Sequence, residues 1–167
     1  MTIMQEAQKG VLTDEIAAVA HSEGLTPEKV RQRVATGTVV IPHNPLHQPE
    51  ALGIGKGLRV KVNANIGTSR EVCNIQEEEE KARAAVEAGA HALMDLSTGG
   101  DLDAIRKRLL EITPVPFGTV PVYQAALEAI NKRGAIVDMT PDDMLNTFER
   151  QAKQGVDFAV AHVGVTR

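Results

Sequence analysis

The sequence predicts an α/β fold: a helical N-terminal extension, then strand–helix units amounting to about half of a (β/α)8 barrel. Three observations carry this. From Leu58 onward, short apolar runs alternate with helical periodicity in the order βαβαβαβ, which specifies a parallel sheet with right-handed crossovers. Each run turns polar or reactive at its carboxyl end, first at Asn63 and Asn65, then at Met94, Asp95 and Ser97, then at Tyr123, then at His162. Groups gathered at the carboxyl ends of parallel strands are how (β/α)8 enzymes build their sites. The core must also be aliphatic, because the 167 residues are 43% hydrophobic but only 2% aromatic.

The elements follow in order. Residues 1–34 read as two helices. Thr13 is an N-cap with Asp14 and Glu15 behind it, and Ile16, Val19 and Ala20 recur at helical spacing before Gly24 stops the run. Thr26 and Pro27 open a second helix through Val30 and Val34, ended by Gly37. Thr38 to Ile41 is a β-branched strand stopped by Pro42. Residues 43–57 form a loop rich in proline and glycine. Its Gly53-Ile54-Gly55-Lys56-Gly57 lacks the spacing and the Lys-Ser/Thr ending of a phosphate-binding loop, and reads as a flexible connection. His43 and His47 stand four apart, a metal-ligand spacing on a helix. The prolines exclude a helix there, which places both in a solvent-exposed loop.

The strand Leu58 to Ile66 runs into Gly67, Thr68 and Ser69. Asn63 and Asn65 are two apart and leave one face of an extended strand. Asparagine is a poor strand former. The pair is therefore either part of a capped turn closed by Gly67 or two amides that bind a polar ligand. Asn74 caps the next helix with Glu77 as a capping box. The run Glu77 to Glu80 resembles paired acid–base carboxylates, but consecutive positions point all round a helix and serve its dipole and the solvent. Gly89 ends that helix. The strand Ala92 to Leu96, the helix Asp101 to Ile112, the strand Phe117 to Val122 and a weaker helix over Ala125 to Asn131 come next. Thr140-Pro141 opens a helix that Gly155 closes, and Val156 to Val163 is the last strand. Two domains result, 1–57 and 58–167.

Composition excludes several functions. A net charge of −4 argues against nucleic-acid or anionic-membrane partners, and the scarcity of aromatics removes stacking platforms for single strands. Cys73 is the sole cysteine, so neither an internal disulfide nor a complete iron–sulfur site lies in these residues. No apolar run reaches the roughly 18 residues of a membrane span, and the polar N-terminus has no signal-peptide pattern. A cytoplasmic protein is expected.

Five stretches carry a resemblance. They are Val60-Lys-Val-Asn-Ala-Asn-Ile-Gly67, Met94-Asp-Leu-Ser-Thr-Gly99, Gly118-Thr-Val-Pro-Val-Tyr-Gln124, Gln154-Gly-Val-Asp157 and His162-Val-Gly164. Through them, in order and over almost the whole chain, the sequence resembles the N-terminal part of the phosphomethylpyrimidine synthase (ThiC) family. The resemblance implies a (β/α)8 barrel that binds 5-aminoimidazole ribotide. It also implies a carbon–carbon lyase that turns this ribotide into the 4-amino-2-methyl-5-phosphomethylpyrimidine of thiamine biosynthesis. S-adenosyl-L-methionine and a [4Fe–4S] cluster would drive the radical route, beside a zinc-type metal site. Matched residue by residue, the implied substrate-binding positions are Asn65, Met94, Tyr123 and His162. An amide can donate and accept, the tyrosine hydroxyl and imidazole can hold a phosphate or move a proton, and methionine supplies an adaptable apolar wall. The resemblance names no catalytic residue here.

The family's CxxCxxxxC motif and metal-binding histidines have no counterpart in the chain, and His43 and His47 do not replace them. The expected partners are a small-molecule substrate and either a second copy, as a homodimer, or a completing C-terminal half. The chain alone is expected to be inactive. Two alternatives stay open: a 5-hydroxybenzimidazole synthase of the cobamide lower-ligand pathway, and a non-catalytic ribotide-binding remnant.

Overall fold

The computed structural model describes residues 1–161, 163 and 164. Three helices open it: α1 (Ile3–Gln8), α2 (Asp14–Glu23) and α3 (Pro27–Ala35). Thr13 and Thr26 cap α2 and α3 through the N–H groups of Ile16 and Lys29, as expected. The additional helix is α1. It has six residues and one buried position, Ala7, too little for a visible apolar stripe. Its signal is the capping box formed by Thr2 and Gln5. Ala7, Ile16, Val19, Ala20, Val30, Val34, Val39 and Ile41 form one hydrophobic cluster.

The loop predicted over 43–57 is more ordered than its composition suggests. Strand β1 (Val39–Val40) pairs antiparallel with β2 (Ile54–Gly55), which lies inside it. A Cβ on Gly55 would stand 2.3 Å from the Thr38 carbonyl oxygen. That glycine is required by close backbone approach, and the stretch is not a flexible connection.

His47 corrects the sequence reading more strongly, for its side chain is only 5% exposed. Its Nδ1 lies 2.6 Å from Asp157 Oδ2 and its Nε2 lies 2.8 Å from the Thr113 carbonyl oxygen. Carboxylate and carbonyl both accept, so both ring nitrogens carry hydrogen and the imidazole is charged. Burial alone would lower its pKa. The hydrogen bond and charge of Asp157, with the Thr113 carbonyl, outweigh burial and raise it. Asp157 also accepts from the backbone N–H groups of Asn44 and Phe117, each at 2.8 Å. His43 stays half-buried, 3.8 Å from Glu15.

The main sheet is parallel, as predicted, in the order β3 (Asn63–Ile66), β4 (Ala92–Asp95), β5 (Phe117–Thr119), β6 (Phe158–Ala159). Every strand is shorter than expected. Residues 58–61 do not join the sheet, and Val62 meets it only through its carbonyl, which accepts from the His91 N–H at 2.8 Å. Glu23 accepts from the Arg59 backbone N–H at 2.9 Å and from Lys61 Nζ at 2.8 Å. This anchors the segment to the N-terminal helices and leaves Val60 and Val62 exposed. Asn63 therefore starts the strand it was expected to end. Strand β5 stops because Pro121 opens α6 (Pro121–Arg133), four residues before the predicted helix start.

Helices α4 (Ile75–Glu87) and α5 (Leu102–Ile112) cover one face of the sheet, their Ala82, Ile105, Leu109 and Leu110 forming one cluster with Ile66, Leu93, Val115 and Phe117. Asn74 caps α4 through the Gln76 N–H, but its amide donates to Glu77 and the expected reciprocal box is replaced. The helix α7 (Pro141–Gln154) carries a full box of Thr140 and Asp143. It packs on the same face, where Gln151 Oε1 accepts from the Thr119 hydroxyl at 2.6 Å. Among the described residues no helix is long and apolar enough to cross a membrane.

Replacing His47 by alanine strands the buried Asp157 carboxylate and is expected to cost about 3 kcal/mol. The pKa of His47 is raised on folding, so its stabilisation is complete below its unfolded value near 6.5 and fades as pH rises through the folded value. Thermal melts of wild type and His47→Ala from pH 5.5 to 9 should converge towards the alkaline end. A gap independent of pH would refute the charged state.

Candidate functional site

Residues paired across a parallel ladder share a face. Asn65 pairs with Met94, Met94 with Gly118, and Gly118 with Phe158, one row across all four strands. Leu93 and Phe117, one step away, are fully buried against the helices. The row of Asn65 therefore faces the other way. Asn63 lies two residues behind on that face, and its Nδ2 donates to Asn65 Oδ1 at 3.1 Å. The capped-turn reading of this pair fails, since both amides stand within β3 and bind each other. Between this face and residues 52–62 lies a cavity of about 500 Å³. Leu52, Leu58, Met94 and Phe158 give it apolar walls, and Asn63 adds an amide.

The loops at the carboxyl ends of β3 and β4 are laced together. The Leu96 N–H donates to the Ile66 carbonyl at 2.8 Å and the Thr98 N–H to the Thr68 carbonyl at 2.9 Å. The Thr68 N–H donates to Ser97 Oγ at 3.0 Å, and the Thr68 hydroxyl to the Gly99 carbonyl at 2.6 Å. Gly67 sits at φ 145°, where a Cβ would meet Ser97 N at 2.6 Å. Its own N–H donates to Glu78 Oε2 at 2.8 Å. Glu78 is buried and also pairs with Lys81. Glu79 pairs with Arg108 at 2.6 Å and Arg83 at 3.2 Å. Two members of the acidic run thus hold structure together rather than facing solvent. Spacing held the clue to Glu78, which lies three after Ile75 and four before Ala82 on the inward stripe of α4.

The helix side of the sheet carries its own polar cluster. Buried Arg106 reaches Asp103 at 2.9 Å and Gln124 Oε1 at 2.6 Å, while Gln151 Nε2 donates to the same Gln124 oxygen at 2.8 Å. Burial lowers the Arg106 pKa. Burial would raise Asp103, but the amides of Gln124 and Gln154 and the Arg106 guanidinium outweigh it and hold the carboxyl low. Asp95 lies on this side too. It accepts from the Ser97 N–H at 2.9 Å, and burial raises its pKa.

The profile of the radical SAM ThiC family matches residues 2–167. The chain is 54% identical to the phosphomethylpyrimidine synthase of Pyrococcus abyssi over 168 residues, which are 100% of this chain and 39% of that protein. It is 54% identical to phosphomethylpyrimidine synthase 1 of Methanothermobacter thermautotrophicus, covering 100% of this chain and 39% of the relative. For a phosphomethylpyrimidine synthase of Thermus thermophilus the identity is 52%, over 99% of this chain and 38% of the relative. The chain belongs to the radical SAM ThiC family. It spans about two-fifths of the length of these curated ThiC relatives, corresponding to an N-terminal part of them.

In this ThiC-family chain the structure brings two of the four expected substrate residues together, Asn65 and Met94, in register on the open face. Tyr123 is not at a strand end but in the first turn of α6, half-exposed, beside Gln124 and its buried network. His162 lies outside the described residues. Asp95 and Ser97, expected at the site with Met94, point into the protein and organise the loops instead. Among the described residues no group of three or more His, Cys, Asp or Glu side chains is placed to hold a metal ion. With one cysteine, and with His47 bound to Asp157, these residues do not fit the ThiC cluster or its second metal.

Glu78→Ala leaves the Gly67 N–H without its acceptor and is expected to destabilise by about 1–3 kcal/mol. Gly67→Ala adds backbone strain of about 1–3 kcal/mol to a clash with Ser97. Denaturant titration measures both. A Gly67→Ala protein as stable as wild type would show that the two loops are not locked as described.

Proposed function

We propose that this chain supplies the substrate-binding part of a phosphomethylpyrimidine synthase acting on 5-aminoimidazole ribotide. The observation that carries the reading is the row of Asn65 and Met94 on the open face of a parallel sheet, where Met94 lines a cavity with apolar walls and the amide of Asn63. Asn65 binds the polar part of the ribotide, since among the described residues its amide nitrogen has no other partner. Met94 packs against the ligand's apolar edge. Tyr123, from the first turn of α6, and His162 complete the set. The four strands are the first half of a (β/α)8 barrel, with residues 1–57 as a separate N-terminal domain and 58–167 as the half-barrel.

The rest of the barrel comes from further βα units or from a second copy of the chain. The outer edges of β3 and β6 are unpaired among the described residues, which supports completion by one of these. The protein acts in the cytoplasm as a radical S-adenosylmethionine lyase. The [4Fe–4S] cluster and zinc-type metal are held by residues outside this chain, and no chemical step through them is assigned to residues described here.

The test is calorimetry of 5-aminoimidazole ribotide with the full-length gene product carrying residues 1–167. Binding is expected, and Asn65→Ala is expected to weaken it about tenfold through a lost hydrogen bond. Equal affinity in the variant would sink the reading. The 167-residue chain itself, with a single cysteine, is expected to take up no [4Fe–4S] cluster on anaerobic reconstitution, as iron and sulfide analysis would show.

A further inference from the structure

Phe158 is the one aromatic side chain on the row that holds Asn65 and Met94. It is half-buried, it lines the cavity with Met94, and it belongs to neither hydrophobic cluster. Phe117, by contrast, is wholly buried among the helices. The phenyl ring of Phe158 lies over its ladder partner Gly118: a Cβ there would stand 2.2 Å from Cε2, 2.3 Å from Cζ and 2.7 Å from Cδ2. Any side chain at position 118 would drive the ring off the sheet. Gly118 has no positive φ to explain it, so its reason is this space. One member of the row gives up its side chain, and a large flat one covers two positions.

We infer that Phe158 is a specificity-determining residue of this site, the platform against which the flat five-membered ring of the ligand packs, and that Gly118 is the positioning residue that lets the platform lie flat. The inference rests on the ribotide reading above. It assigns the ring end of the ligand to Phe158 and Met94 and the polar substituents to Asn65. Aromatic rings prefer offset or edge contacts with one another, and a thioether beside them adapts to the ligand edge. Such a surface accepts a planar heterocycle and gives no hydrogen bond to a saturated polar one.

The experiment uses the full-length gene product and 5-aminoimidazole ribotide. Phe158→Leu should weaken binding about fivefold, while Phe158→Tyr, which keeps the ring, should stay within about twofold. Gly118→Ala should weaken binding at least as much as Phe158→Leu, and the two losses should not add, because both remove one platform. Ribose 5-phosphate, which lacks the heterocycle, should bind equally to wild type and Phe158→Leu. A readout free of variants is the nuclear Overhauser effect from the ligand's ring protons to a phenylalanine ring, expected in wild type and shifted to a tyrosine in Phe158→Tyr. If wild type binds the ribotide while Phe158→Leu binds equally well, or while no such effect is seen, the inference is overturned and the ribotide reading stands. If wild type does not bind the ribotide, the ribotide reading fails and takes the inference with it. Should Phe158→Leu fail to fold, the Overhauser measurement on wild type decides.

Discussion

The carboxylate of Asp157 is the constraint on which the two halves of this structure depend. It is fully buried and takes three donors: the His47 ring, the Asn44 N–H and the Phe117 N–H. A charge removed from water needs this number of partners. Two of them, Asn44 and His47, come from the loop that leaves the N-terminal cluster. The third is the first residue of β5. The Asp157 backbone N–H in turn donates to the Phe117 carbonyl at 2.9 Å. Side chain and main chain together set where β6 meets β5, and the next residues along, Phe158 and Gly118, fall opposite each other as a result. A structural ion pair at one end of the strands thus fixes the register of the candidate site.

Parity does the rest. A one-residue slip in a strand sends every side chain to the other face, and this sheet uses its two faces for different ends. Asp95, Thr119 and the network of Arg106, Gln124 and Gln151 lie under the helices and are internally satisfied, apart from Arg106 Nε. Met94 and Asn65, one step from Asp95 and Ile66, face the other way, and Met94 lines the cavity. The helix-side network also steadies the first turn of α6 and with it Tyr123. The opposite face carries the amides of Asn63 and Asn65.

What the sequence made legible was local. The caps Thr13, Thr26 and Thr140, the stops Gly24 and Gly155, and the parallel order of the strands all follow from neighbours within a few residues, and the structure has them. Parity put Asn63 and Asn65 on one face, whereas the place of Met94 beside Asn65 is set by the register between strands. What it concealed was set by distant partners. His47 reads as a loop histidine because Asp157 is far along the chain. Glu78 reads as one of four surface acids until Gly67 is folded against it. Strand β2 depends on Thr38 and Val39, and the early start of α6 was masked because Val120 and Val122 flank Pro121 and look like strand. Phe158 looks like ordinary core in an apolar run, and only the ladder shows that its partner is a glycine.

The two ends of the sheet therefore carry different loads. At the amino ends, His47 and Asp157 bind the N-terminal cluster to β5 and β6, and changes there act on stability. At the carboxyl ends, Gly67, Thr68 and Ser97 lock two loops backbone to backbone, with Glu78 reaching in from α4. Between them runs the row from Asn65 to Phe158, where the Phe158 ring closes over Gly118. A core layer tolerates changes of volume when its neighbours can relax, and this one cannot on the Gly118 side. Its shape is fixed by backbone, with polar character at one edge and aromatic character at the other. On the ribotide reading proposed above, such a layer discriminates by the shape and orientation of a planar ligand.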